Sequence, residues 1–141
     1  MNAPFSLSFE HEFQYRPIPG FAPSHVFPAI PIGIIGPKHA VDTMAVIDTG
    51  ATYSLFSGLR AQAIGLELSA GKRIHLASLS AIALAFLHPV TLELFGTRIS
   101  CEVAFSEAPI RRELLGRHDV FSQVRFAFRE GLSLGYFDPR P

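Results

Sequence analysis

The residues of this chain whose types and order could do chemistry begin at Asp48-Thr49-Gly50-Ala51. They follow an apolar run, Met44-Ala45-Val46-Ile47, and lead into Thr52-Tyr53-Ser54-Leu55-Phe56. A carboxylate on a tight turn just past a buried strand is a candidate acid, base or nucleophile. Thr49 adds a hydroxyl donor, and Gly50 lets another backbone approach closely. Well downstream lies a second motif, Glu113-Leu114-Leu115-Gly116-Arg117-His118-Asp119-Val120-Phe121. Asp-Thr-Gly alone is also an ordinary strand-end turn, where Asp and Gly are common. The flanking apolar strand, Ala51 and the later Leu-Leu-Gly-Arg argue for more than that.

A nucleophilic Asp48 of the phosphoryl-transfer kind would need an Asp-Lys-Thr-Gly or Asp-x-Asp context, an acid cluster for a metal and an α/β pattern. The chain has none of these. It also lacks a Gly-x-Ser-x-Gly turn and a phosphate-cradling Gly-x-x-x-x-Gly-Lys. Six histidines are scattered without a His-x-x-x-His pair, so no metal site and no cofactor are expected.

Asp48-Thr49-Gly50-Ala51 together with Leu114-Leu115-Gly116-Arg117 resembles the paired motifs of retropepsin-like aspartic proteases, over roughly residues 26–128. Ala61-Gln62-Ala63-Ile64-Gly65-Leu66 is more similar to cellular and bacterial members than to compact viral ones. The resemblance implies a closed β-barrel or sandwich with one or two short helices, in a symmetric homodimer. It implies that Asp48 is catalytic, that Thr49 braces the two turns across the dimer, and that Gly50 carries substrate backbone contacts over a small Ala51. Leu114, Leu115, Gly116 and Arg117 would support the turn. Residues Ala77, Ser78, Leu79, Ser80 and Ala81 would form the tip of a flap hairpin, although viral tips are glycine-rich and this one is not. Viral members often place an acidic residue after Asp-Thr-Gly-Ala to pair with the helix arginine. Thr52 stands there, so Arg117 is expected to use Asp119 or a backbone carbonyl.

Aspartic proteolysis needs two carboxylates facing one water, sharing a proton because both cannot ionise at that distance. This chain has a single Asp-Thr-Gly; Asp42, Asp119 and Asp138 lack the Thr-Gly context. A homodimer with one Asp48 from each subunit meets the requirement through one isologous interface. The expectation is therefore an endopeptidase acting on a peptide or protein substrate. A peptide-binding or dimerisation module without catalysis, on the same fold, is the alternative.

The bulk composition agrees with one domain spanning residues 1–141. Only 17% of residues are charged and the formal net charge is zero, so no basic footprint for nucleic acid is expected. A mean hydropathy of +0.29 suggests apolar surface buried between subunits. No apolar stretch reaches membrane-spanning length, and Met1-Asn2-Ala3-Pro4 does not read as a signal peptide. Cys101 is alone, which excludes an intrachain disulfide and fits a reducing, cytoplasmic setting.

Eleven prolines and eleven glycines punctuate short apolar segments, the texture of an all-β domain. Period-2 alternation predicts a strand over residues 5–15. Strands at 29–35 and 41–47 should form the hairpin that delivers Asp48, continued by a strand at 52–56. Ser57 should cap a helix over 58–64, ended by Gly65. Hairpins are expected over 73–95 and over 90–105, the latter turning at Gly96. A buried strand at 114–116, a short helix at 117–123 and a C-terminal hairpin over 124–137 complete the reading.

Overall fold

The computed structural model describes residues 4–77 and 81–141. The proposed flap-tip residues Ser78, Leu79 and Ser80 lie outside the described residues. The chain starts with β1 (His11–Gln14), then β2 (Ala29–Ile35) and β3 (Ala40–Ile47). Next come β4 (Leu55–Ser57), α1 (Gly58–Ala63), β5 (Lys72–Ala77) and β6 (Ile82–Leu94). After these follow β7 (Thr97–Ser106), β8 (Glu113–Leu115), β9 (Arg125–Arg129) and β10 (Leu134–Asp138). Short 3-10 turns occupy Leu68–Ala70 and Glu130–Leu132.

The main sheet runs β2-β3-β8-β4-β7-β6-β5, and β2 pairs again with β6. That second pairing closes β2, β3, β8, β4, β7 and β6 into a six-stranded barrel, with β5 paired to the first half of β6. Closure removes two strand edges that would otherwise be open. The two strand prolines sit where the ladder permits them. Pro31 lies in the part of β2 that pairs only with β3, because β2 meets β6 at Gly33, Ile34 and Ile35 alone. Pro89 lies where β6 has left β5, after Leu87, and has not yet reached β2, at Thr91. A missing N–H costs nothing at such one-sided positions.

Ile30, Ile32 and Ile34 of β2 alternate inward, as a half-buried strand requires, and are 0–1% exposed. They meet Ala45, Ile47, Leu92, Leu94, Val103, Phe105 and Leu115 in one barrel core. α1 caps one flank. The Ser57 hydroxyl accepts from the Leu59 amide, and Gly65, at φ +89°, ends the helix in a conformation that suits glycine.

A second sheet, β1-β10-β9, leans on the barrel through Phe13, Phe95, Phe126 and Phe137, whose rings pack at 5.1–5.8 Å. Asp138 is fully buried in it. Arg140 donates to both Asp138 carboxylate oxygens at 2.7 Å, and Arg125 approaches at 3.4 Å. The Arg140 hydrogen bonds hold the Asp138 carboxyl well below the usual carboxylate range, against the opposing effect of burial.

Three local expectations are corrected. The strand expected over residues 5–15 pairs only as His11–Gln14, because residues 4–9 find no ladder partner within the described chain. The strand expected over 52–56 narrows to Leu55–Ser57, since Thr52 and Tyr53 belong to a bend whose Thr52 O accepts from His118 N. The helix expected over 117–123 is a run of turns, because Asp119, its third residue, takes φ +60° and interrupts helical φ/ψ before one turn is complete. The hairpins expected over 73–95 and 90–105 share one thirteen-residue strand, β6.

Candidate active site

β3 ends at Ile47, and the chain turns at once through Asp48, Thr49 and Gly50. The turn is held by backbone and by its own carboxylate. Asp48 N donates to Leu115 O at 2.9 Å, and Ala51 N donates to Asp48 O at 3.2 Å. Gly50 N donates to Asp48 Oδ1 at 2.9 Å. That last bond aims the carboxylate and leaves Oδ2 free of any hydrogen bond among the described residues. Asp48 is half-buried, while Thr49 and Gly50 are exposed. An exposed turn at the end of a buried strand is the arrangement the sequence led us to expect.

β8 is the clamp. It runs parallel to β3 with Leu115 opposite Ile47, and Leu55 of β4 pairs with its other side. Just beyond it, Arg117 N donates to Ala51 O at 3.0 Å and His118 N to Thr52 O at 2.7 Å. Gly116 N donates to the buried Ser54 hydroxyl at 3.0 Å. A Cβ on Gly116 would stand 2.4 Å from the Tyr53 carbonyl, so only glycine fits there. Leu115 and Gly116 are buried, and Leu114 is half-buried at the cleft wall.

Arg117 supports the turn through its backbone, but its side chain takes neither expected partner. Its side chain is exposed and makes no hydrogen bond or ion pair among the described residues. Asp119, the partner suggested for it, instead accepts from Glu102 N at 3.0 Å and sits 3.4 Å from His118 Nε2. The backbone of Arg117 does the work at the turn.

A cleft of about 540 Å³ opens beside the turn. Gly50 and Ala51 line one side, and His75, Leu76, Ala77 and Ala81 from the β5–β6 hairpin line the other. Leu55, Tyr53 and Leu114 make its wall apolar. A more open hollow of about 700 Å³ contains Cys101, Glu102 and Asp119 but no residue of the turn. Burial, reinforced by the negative charge of Asp119, pushes the Cys101 thiol up to about 12, so it remains a thiol and not a nucleophile. Among the described residues, no group of three His, Cys, Asp or Glu is placed to hold a metal ion. No helix among them is long and apolar enough to cross a membrane.

Motif reading missed several residues around the site. Glu113, only 10% exposed, accepts from the Thr43 hydroxyl, from Ser57 N at 3.0 Å and from Arg60 Nη2 at 3.0 Å. These bonds tie β3, β4, α1 and β8 together below the turn. Tyr53 and His118 stack edge-on at 5.0 Å. No pattern of neighbours flagged them, because their partners are remote in sequence.

Comparison with solved structures settles the fold. The chain superposes on a retropepsin-like aspartic protease from Rickettsia conorii with a TM-score of 0.62, at 16% identity, over 91% of this chain and 98% of that one. It superposes on a retroviral enzyme, EIAV protease complexed with the inhibitor HBY-793, with a TM-score of 0.52 at 19% identity, over 67% and 85% of the two chains. The fold is retropepsin-like. No protein-family model matches the sequence, and no curated protein sequence does. In this retropepsin-like barrel the Asp48 turn, the β8 clamp and the β5–β6 hairpin surround one cleft.

Proposed function

We propose that the protein is an aspartic endopeptidase that works as a homodimer, each subunit contributing one Asp48. The observation that carries this is the Asp48 turn itself. Its carboxylate is oriented by Gly50 N, its backbone is clamped by Leu115 O, and it stands at the rim of an apolar cleft. One such turn supplies one carboxylate, and the chemistry needs two. The paired Asp48 groups would share a proton. One would take a proton from water as it attacks the scissile carbonyl, and the other would donate to the carbonyl oxygen. Collapse of the tetrahedral intermediate then returns a proton to the leaving amine.

A face suited to the second copy lies beside Thr49. Thr49 borders a hollow of about 320 Å³ together with Leu7, Phe9, Phe126 and Phe128. Phe5 is 85% exposed and Leu7 53%, on a segment without a ladder partner among the described residues, and β9 is an edge strand of its sheet. Apolar side chains next to an open edge favour a strand-pairing partner. On this reading Thr49 braces the paired turns, Gly50 meets the substrate backbone, and the β5–β6 hairpin covers the peptide as a flap. The lone thiol fits a cytoplasmic location.

Cleavage of a peptide with apolar residues at its centre tests the proposal. The rate should be bell-shaped in pH with an optimum on the acid side of neutrality, both limbs belonging to the coupled pair. Asp48→Asn should abolish turnover by several orders of magnitude while the protein stays folded. Full activity in that variant would place the chemistry elsewhere. Peptide binding without cleavage in the wild type would make the domain a binding module.

A further inference from the structure

Two arginines just before β8, lining a hollow separate from the cleft, have no chemical role in the mechanism above. Arg111 and Arg112 immediately precede β8 and are exposed. Neither has a carboxylate partner among the described residues. Glu113, next in the chain, is already engaged by Arg60, Thr43 and the Ser57 amide, so it cannot neutralise them. The two guanidinium groups are nonetheless held in place. Arg111 lies 4.5 Å over the Phe21 ring, and Arg112 lies 5.5 Å from the centre of Phe27. Phe21 and Phe27 themselves pack edge to face at 5.2 Å. Stacking of this kind fixes the plane of an arginine and leaves its N–H groups free to donate.

This shelf neighbours the cleft through Leu114. Leu114, which lines the cleft, packs in the same apolar cluster as Phe21, Phe27 and Met44. Arg112 is two residues before Leu114, at most about 7 Å along the chain. Beneath the arginines lies a hollow of about 400 Å³ with Ile18 and Met44 as its apolar lining. Because Arg60 and Glu113 neutralise each other, that hollow carries two uncompensated positive charges in a chain whose net charge is zero.

We propose that Arg111 and Arg112 are specificity-determining residues that select peptide substrates carrying an acidic side chain a few positions from the apolar pair at the scissile bond. The inference rests on reading the cleft as a peptide-binding site. The apolar wall takes the central side chains, and the stacked guanidinium groups donate to an Asp or Glu carboxylate further out, with bidentate geometry open to them.

The test uses three peptides with one apolar centre and Glu, Gln or Lys at an outer position, placed on either side in turn. Wild-type kcat/KM should favour Glu over Gln by about twofold to fivefold and over Lys by more, in the range of an exposed charge pair. The preference should shrink as salt rises. In the Arg111→Gln/Arg112→Gln double variant, the Glu-to-Gln ratio should fall to near one. A ratio is read because it is insensitive to the fraction of protein folded. Binding of the same peptides to Asp48→Asn, followed by fluorescence anisotropy with and without the arginines, gives a readout independent of catalysis. Cleavage with no charge preference, or a preference that survives the double variant, overturns the arginine shelf and leaves the peptidase standing. No cleavage by the wild type, together with a binding preference for Glu that needs the arginines, overturns the peptidase and supports the shelf. Neither cleavage nor a charge-dependent binding preference overturns both.

Discussion

Replacing Gly116 with alanine is the sharpest perturbation of the clamp behind the Asp48 turn. The added Cβ would lie 2.4 Å from both C and O of Tyr53 and 2.8 Å from Ser54 N, all of them backbone atoms. Backbone cannot rotate aside as a side-chain tip can, so the β8 exit and the 53–54 bend must separate. Overpacking of this sort costs about 1–3 kcal/mol. Moving Gly116 away also lengthens its 3.0 Å bond to the buried Ser54 hydroxyl, worth about 1 kcal/mol. The sum, about 2–4 kcal/mol, is a large part of a typical domain stability of about 5–15 kcal/mol. It should lower Tm by roughly 6–15 °C for a chain of this size. Because Arg117 N and His118 N hold Ala51 O and Thr52 O, the same displacement moves the turn. A misplacement on the order of 1 Å should cost about 100-fold in kcat under conditions where the variant is still folded. Gly131→Ala is the control, since nothing stands within 4 Å of its Cβ position. Its Tm should stay close to that of the wild type. Thermal unfolding followed by circular dichroism, with peptide cleavage well below Tm, reads both effects. A Gly116→Ala protein with wild-type Tm and kcat would refute the clamp.

Glu113→Gln keeps the shape but removes the charge that Arg60 faces, and should destabilise by about 1–3 kcal/mol in urea unfolding; an unchanged midpoint would show the network to be dispensable. Asp138, with its folded pKa depressed by Arg140, contributes stability that is full above its ordinary value of 3.8 and is lost as pH falls below it. Asp138→Asn should therefore flatten the acid limb of Tm against pH, and a parallel shift at all pH values would contradict that linkage. Cys101, buried and with its thiol raised to about 12, should react with a thiol reagent at pH 8 only as fast as the protein opens, and rapidly in denaturant. Deleting residues 1–9 should drive sedimentation toward monomer if Phe5 and Leu7 cover the partner, whereas an unchanged dimer would clear that segment.

Much of this fold was legible because local signals and tertiary needs agree. The strand at 29–35 alternates isoleucines on a face that the barrel buries. Ser57 and Gly65 bound α1 in the places where caps are chemically useful. Leu115 beside Asp48 followed from motif order, and the structure supplies the hydrogen bond that explains it. What could not be read locally depended on partners. Alternation over residues 5–15 signals a face to bury, but only His11–Gln14 finds a strand, β10, to pair with. Asp119 adopts φ +60° to direct its carboxylate to Glu102 N, and no propensity in residues 117–123 announces that. Glu113 draws its partners from positions 53 and 70 residues away, which no window of neighbours can contain. The arginine shelf depends on Phe21 and Phe27, brought beside β8 only by the closed barrel.

The central claim is that one active site is shared by two copies of Asp48, and mixing subunits tests it most directly. Wild-type protein and Asp48→Asn are equilibrated at constant total concentration, and the initial rate of peptide cleavage is followed against the wild-type fraction. A shared site predicts a rate proportional to the square of that fraction, falling to about a quarter in an equal mixture, because only wild-type pairs hold two carboxylates. A rate linear in the wild-type fraction would mean that each chain carries a complete site, and would contradict the paired Asp48 mechanism.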